Sequence, residues 1–337
     1  MVINADPNTR IVIVGAGSIG CWVGGVLLNA GRNVTFLARP KVINEVDHYG
    51  LRLTDFEGRD IRLPTESVLM TTDAKVLLNA EVVIIAVKSP STESTLWDIA
   101  KYIPKRATIL SFQNGVKNAN RIRAVLGEHA DVRAVMVPFN VVWSASGHFH
   151  RGVEGELVIQ KGPRDFTELF TVDGLAAKTV NNIESVMWGK VILNLNNALN
   201  ALSNVPLKAQ LRQREWRKLL AACQSEALET MQKAKIRPQT ELPIPLWLLP
   251  TILRLPNFLF EKVASKMLAI DENARSSMWE DLIKGRNTEV DDLQGAILEL
   301  ANIFNTQVPN NQRVLKLVKQ AESNNTGSPG LNPQDIY

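Results

Sequence analysis

Residues 188–202, WGKVILNLNNALNAL, carry the side chains best placed to do chemistry in this chain. At about 100° per residue, Lys190, Asn194 and Asn197 fall in one narrow stripe of a helix, while Val191, Leu195, Ala198, Leu199 and Leu202 occupy another face. One cation and two amides therefore point the same way. Asparagine is a poor helix former, so several in one helix argue for a task other than helix stability. A merely wetted face would usually carry Glu and Lys instead. An ammonium held in such company is suited to stabilising an alkoxide as it develops.

A second constellation lies near the start of the chain. Gly15-Ala16-Gly17-Ser18-Ile19-Gly20 follows an apolar β-branched run and opens a helical pattern. In that setting Gly15 permits a tight turn, Gly17 lets the backbone approach a pyrophosphate, and Gly20 allows helix to pack closely on strand. The helix N-terminus then faces the negative charge. A dinucleotide site is expected over these six residues. At the end of the next strand the chain reads Phe36-Leu37-Ala38-Arg39, where a site selective for NAD would place an acid against the ribose hydroxyls. Arg39 can pair with an added 2′-phosphate, so NADPH is the expected cofactor. Lys88 ends the run VVIIAVK, and Gln113-Asn114-Gly115 again follows a strand, so both belong on the ligand edge of an open α/β sheet. Gly115 frees the backbone there, and Asn114 offers both a donor and an acceptor.

The elements that must position these residues are legible as alternating patterns. Residues 10–14, 33–38, 81–87, 108–111 and 132–137 read as buried strands, with a helix after the first strand running to about residue 30 and others over residues 92–101 and 116–126. This is the pattern of a doubly wound, mainly parallel sheet. Residues 143–160 read as the last strands of the same domain. Beyond residue 179 the period becomes helical, over residues 185–202, 216–235, 273–284, 289–305 and 312–321. The expected division is thus a nucleotide-binding unit over 1–179, a mainly α-helical unit over 180–322 and a fraying polar tail over 323–337.

With 337 residues, 45% of them apolar and 21% charged, the chain has enough core-forming residues for two domains. The net charge of +4 is spread without a basic block, which argues against nucleic acid. Cys21 and Cys223 suit a reduced, cytoplasmic protein, and the N-terminus does not read as a secretory signal. Residues 242–260 are apolar and about as long as a bilayer is thick, but Pro243, Pro245, Pro250, Pro256 and Arg254 make a packed excursion the expectation, not a membrane span. His48, His129, His148 and His150 show no metal-ligand spacing, and no metal is expected. The motif G-x-S-x-G does not occur.

Taken in order, GAGSIG, the VK of residues 87–88, QNG, the W-x-K-x-x-x-N helix, Ala274-Arg275-Ser276-Ser277-Met278 and Gly285-Arg286-Asn287-Thr288-Glu289 resemble the ketopantoate reductases over nearly the whole chain. The resemblance implies a Rossmann domain, a helical domain similar to that of 6-phosphogluconate dehydrogenase, an active site in the cleft between them, and NADPH-dependent reduction of 2-dehydropantoate. It implies Lys190 as the catalytic lysine, Glu289 as the acidic residue of the site, and Asn114, Asn194 and Ser277 as ligands of the keto acid. Ala198 stands where such enzymes commonly have a second asparagine, with Asn197 just before it as the candidate replacement. A reductase of another branched 2-keto acid and an NADPH-binding sensor without turnover are the rival readings. The expected partners are the small 2-keto acid and a second copy of the chain in a homodimer, and the excursion over residues 242–260 is expected to shape either the pocket or a subunit contact.

Overall fold

The computed structural model describes residues 3–127, 130–265, 268 and 271–336, and His129 lies outside them. The chain divides into two compact units, Met1–Ile183 and Glu184–Tyr337.

In the first unit, Ile11–Val14, Val82–Ile85 and Thr108–Ser111 are buried at every position. That is the requirement for parallel strands covered on both faces. They form the centre of an eight-stranded sheet in the order Ala177–Val180, Leu157–Gln160, Asp131–Met136, Thr108–Ser111, Val82–Ile85, Ile11–Val14, Val34–Leu37 and Met70–Thr71. All neighbours are parallel except Leu157–Gln160 against Asp131–Met136. Side chains alternate between the two faces. Ile11 and Ile13 join one core with Trp22, Val26 and Phe36, while Val12 and Val14 join the other with Leu96, Ile99, Ile109 and Ile122.

The strands expected over residues 143–160 divide between two sheets of this unit, and only Leu157–Gln160 enters the large one. His148–Arg151 pairs in parallel with Leu51–Asp55 in a separate four-stranded sheet, completed by Val141–Trp143 and Asp60–Leu63. This sheet packs on helix Ser18–Asn29, and the Trp22 indole N–H donates to the Thr54 carbonyl at 3.3 Å.

The second unit is helical. The single helix expected over residues 185–202 lapses at Leu195, giving Ile183–Asn194 and Asn196–Ser203. Its apolar face, Val191, Leu195, Ala198, Leu199 and Leu202, is at most 1% exposed. Residues 242–260 form turns and short helices, Leu249–Arg254 and Asn257–Val263, with Pro250 in the first turn of one and Pro256 capping the other. Leu249, Leu253 and Phe260 are buried, and no helix among the described residues is long and apolar enough to cross a membrane. A buried Arg217 in helix Arg214–Lys233 ties the excursion down. It donates to the carbonyls of Leu253 at 3.1 Å and Leu255 at 2.8 Å and to Asn257 Oδ1 at 2.9 Å, and lies over the Phe260 ring.

The polar tail, expected to fray, makes defined contacts with the helical unit. Helix Pro309–Asn324 runs into it, the Ser328 hydroxyl donates to the Ala201 carbonyl at 2.6 Å, and the Leu331 N–H donates to Leu202 at 2.9 Å. Those carbonyls belong to the last turn of helix Asn196–Ser203 and have no partner within it, so the tail satisfies them while burying Ile336.

Candidate active site

Parallel register builds the first half of the site. Val14 pairs with both Leu37 and Ile85, and Ile85 pairs with Ser111, so the chain leaves all four strands at one level of one edge. The segments that follow are Gly15–Gly20, Ala38-Arg39, Ala86 to Lys88 and Phe112 to Gly115. Gly15 adopts φ +103°, and a Cβ there would strike the Val87 backbone nitrogen at 2.8 Å. Gly20 lies so close to the Gly15 carbonyl that a Cβ would approach it at 2.2 Å. Ala16 is buried, whereas Gly17, Ser18 and Ile19 are half-buried at the start of helix Ser18–Asn29.

These residues fit a dinucleotide phosphate. A Cβ on Gly17 would meet nothing within 4 Å, so the backbone there lies open to a ligand, and the first turn of the helix carries no acidic residue. Arg39 is exposed immediately past strand Val34–Leu37 and caps helix Pro40–Tyr49. Lys88 is exposed, and Asn114 half-buried.

A buried amide network holds the last two loops, and sequence reasoning missed it. Gln113 Nε2 donates to the Val87 carbonyl at 3.0 Å and to Thr92 Oγ1 at 2.6 Å. Asn118 Nδ2 donates to Ser89 Oγ at 2.8 Å and to the Asn114 carbonyl at 2.7 Å. The Lys88 and Asn114 loops are thereby fastened to each other.

In the helical unit Lys190, Asn194 and Asn197 are all half-buried, whereas Ala198 is fully buried. Burial pushes the Lys190 ammonium down to about 8, and the Glu289 carboxylate acts in the opposite direction. Gly189 beside the lysine has its own cause: the Gln239 N–H donates to the Ser185 carbonyl at 2.9 Å, and a Cβ on Gly189 would lie 1.8 Å from the Gln239 carbonyl. The excursion's leading strand of chain thus lies directly on the lysine helix. A glycine inside a good helix was the signal available for this contact.

Ser277 is exposed as the first residue of helix Ser277–Ile283. Its neighbour Ser276 caps that helix, donates to the Asn197 carbonyl at 3.0 Å, and takes the buried Asn200 Oδ1 on its N–H at 2.8 Å. This clasp fastens the start of the helix that carries Ser277 to the turn that carries Asn197. Glu289 is buried, and Glu322 fixes its segment by accepting the Thr288 N–H at 2.7 Å.

Outside these groups, His148 Nε2 and His150 Nδ1 each lie 2.8 Å from the Thr54 hydroxyl. That partner stands on a strand absent from the sequence reading. Burial and the nearby Arg52 hold the His148 pKa below its usual value.

A phosphate-cradling edge on a doubly wound sheet, followed by a helical unit with a lysine among amides, defines an oxidoreductase of the Rossmann type. Residues 11–164 match the family model of ketopantoate reductase PanE/ApbA, and residues 182–322 match that of ketopantoate reductase PanE/ApbA C terminal. The chain belongs to this family. It is 28% identical to the 2-dehydropantoate 2-reductase of Pyrococcus horikoshii, covering 95% of this chain and 99% of that one. The corresponding protein of Pyrococcus abyssi is 26% identical, covering 93% and 98%. Among solved structures, a PanE/ApbA family ketopantoate reductase from Ralstonia eutropha superposes with a TM-score of 0.79 at 26% identity, covering 94% of this chain and 99% of that one. D-Mandelate dehydrogenase, solved with NADH and anilino(oxo)acetate, shares the fold at a TM-score of 0.76 and 19% identity, over 94% of this chain and 99% of that one.

Proposed function

We propose that this chain reduces 2-dehydropantoate (ketopantoate) to pantoate with NADPH, a step toward pantothenate and coenzyme A. The observation that carries the reading is the half-buried Lys190, with a pKa pushed down to about 8, on the helix that ends at Asn194, with Asn197 in the helix that follows, and within the field of Glu289. When bound, the reduced nicotinamide supplies the hydride for C2 of the keto acid. Lys190 gives its Nζ proton to the carbonyl oxygen, so that a secondary alcohol forms and the lysine is left neutral until solvent reprotonates it. Glu289 favours the protonated lysine. Asn114, Asn194, Asn197 and Ser277 are the ligands of the keto acid, and Gly15–Gly20, Arg39, Lys88 and Asn114 those of the nucleotide. Support comes from the family match over both units and from relatives named 2-dehydropantoate 2-reductase.

The test is a comparison of kcat/KM for ketopantoate, 2-ketoisovalerate and pyruvate at saturating NADPH. Ketopantoate should lead by several orders of magnitude, because a site built to hydrogen-bond its extra hydroxyl is left with unpaired polar groups by an analogue lacking it. The buried Ala198 favours a second reading, in which another branched 2-keto acid is the substrate. Faster turnover of 2-ketoisovalerate would establish that reading and overturn the first.

A further inference from the structure

Between Lys190 and Leu202 the regular helix lapses at one residue, Leu195, whose own dihedrals remain helical at φ −57° and ψ −26°. Two buried glutamines from other helices reach backbone carbonyls there. Gln294 Nε2 donates to Leu195 at 3.0 Å, and Gln224 Nε2 donates to Ile192 at 3.2 Å. A carbonyl can only accept, so each amide must turn its NH2 inward. The Oε1 atoms of both glutamines are then left without a partner among the described residues. A methionine of similar length would remove the orphaned oxygen but leave the backbone carbonyl without its donor. An amide kept here despite an orphaned oxygen serves the carbonyl it holds, and so the position of that backbone.

The position of the two bonds indicates the task. Ile192 and Leu195 bracket Asn194, and beyond the break the half-buried residues are Asn196 and Asn197, while Ala198 turns wholly into the core. Gln294 also opens helix Gln294–Ile303, five residues after Glu289, so its bond joins the acidic segment to the asparagine helix. We propose that Gln294, seconded by Gln224, is a positioning residue that holds the break at Leu195 and thereby sets Asn197 as a specificity-determining ligand of the keto acid. The inference rests on the keto-acid reading of the site.

The test uses full-length Gln294→Met, Asn197→Ala and the double variant, with keto-acid KM and kcat at saturating NADPH and a separate NADPH titration. Gln294→Met and Asn197→Ala should each raise keto-acid KM about ten-fold with kcat changed less than about three-fold and NADPH affinity unchanged. The double variant should be no worse than Asn197→Ala alone, because the glutamine acts through the asparagine. A keto-acid KM within two-fold of wild type in Gln294→Met, or a double variant equal to the product of the singles, overturns the proposal while leaving the reductase reading intact. If Gln294→Met does not fold, the same cycle is run with Gln224→Met, under the same criteria. A wild-type chain that turns over no 2-keto acid removes the reductase reading and this inference together.

Discussion

Replacing Glu289 with glutamine should move the alkaline limb of the pH–rate profile to lower pH. In the proposed reduction Lys190 carries its proton before the carbonyl is reduced, and its pKa is pushed down to about 8 by burial, with Glu289 as the opposing influence. At pH 7 about nine-tenths of the lysine is therefore protonated, and at pH 9 about one-tenth. In wild type, kcat/KM should be level below pH 8 and fall about ten-fold per unit above it. Glu289→Gln keeps the shape of the side chain but removes the negative charge that favours the ammonium. The limb should then move down by roughly one to three units, the range an opposite charge at close quarters commonly supplies. Initial rates of NADPH oxidation across about pH 6–10, at several keto-acid concentrations, give both profiles. An unmoved or raised limb in the variant would refute the electrostatic role of Glu289, and a wild-type limb near the ordinary lysine value would refute the burial argument itself.

Three further outcomes follow from the geometry. Arg39→Ala should weaken NADPH binding about ten-fold and leave NADH binding unchanged, since only the 2′-phosphate loses a partner; equal wild-type affinities for the two cofactors, by fluorescence titration, would contradict this. Gly189→Ala places a methyl against the Gln239 carbonyl and should cost about 1–3 kcal/mol, seen as a lower Tm, while NADPH affinity holds; an unchanged Tm would count against the contact. Lys190→Met should lose about 100-fold or more in kcat yet melt no lower than wild type at pH 7. A lowered lysine pKa means that the unfolded chain holds more protons between about 8 and the ordinary lysine value, so wild-type stability rises with pH through that window and the variant's advantage shrinks there; an advantage that grows with pH would reverse the sign of the argument.

The sequence exposed those features whose cause is local. Central strands such as Ile11–Val14 and Val82–Ile85 are apolar along their whole length because both faces are covered, and GAGSIG is visible because its three glycines stand at fixed spacing between a strand and a helix. The stripe of Lys190, Asn194 and Asn197 follows from helical period alone. The four-stranded sheet was less legible, since Leu51–Asp55 and Asp60–Leu63 are short, half-buried and polar on one face, and their partner strand is distant in sequence. The lapse at Leu195 had only a weak local signal, the poor helix formers Asn194, Asn196 and Asn197 around it, and the glutamines that meet its carbonyls come from 32 and 99 residues away.

This division between local and distant causes also separates the two kinds of residue at the site. Those expected to touch ligands, Arg39, Lys88, Asn114, Lys190, Asn194, Asn197 and Ser277, are exposed or half-buried, with Glu289 the buried exception. The side chains that hold them, Gln113, Asn118, Asn200, Ser276 and Gln294, are buried and engage backbone groups of another segment. A ligand-facing side chain can be removed with little loss of fold, because solvent takes its place. A buried amide cannot, because the backbone group it served is left without a partner in a place water does not reach. Substitutions in the first group should therefore act on rate or affinity alone, and those in the second on stability and affinity together, which makes Tm measured beside KM the means of telling a ligand from its support.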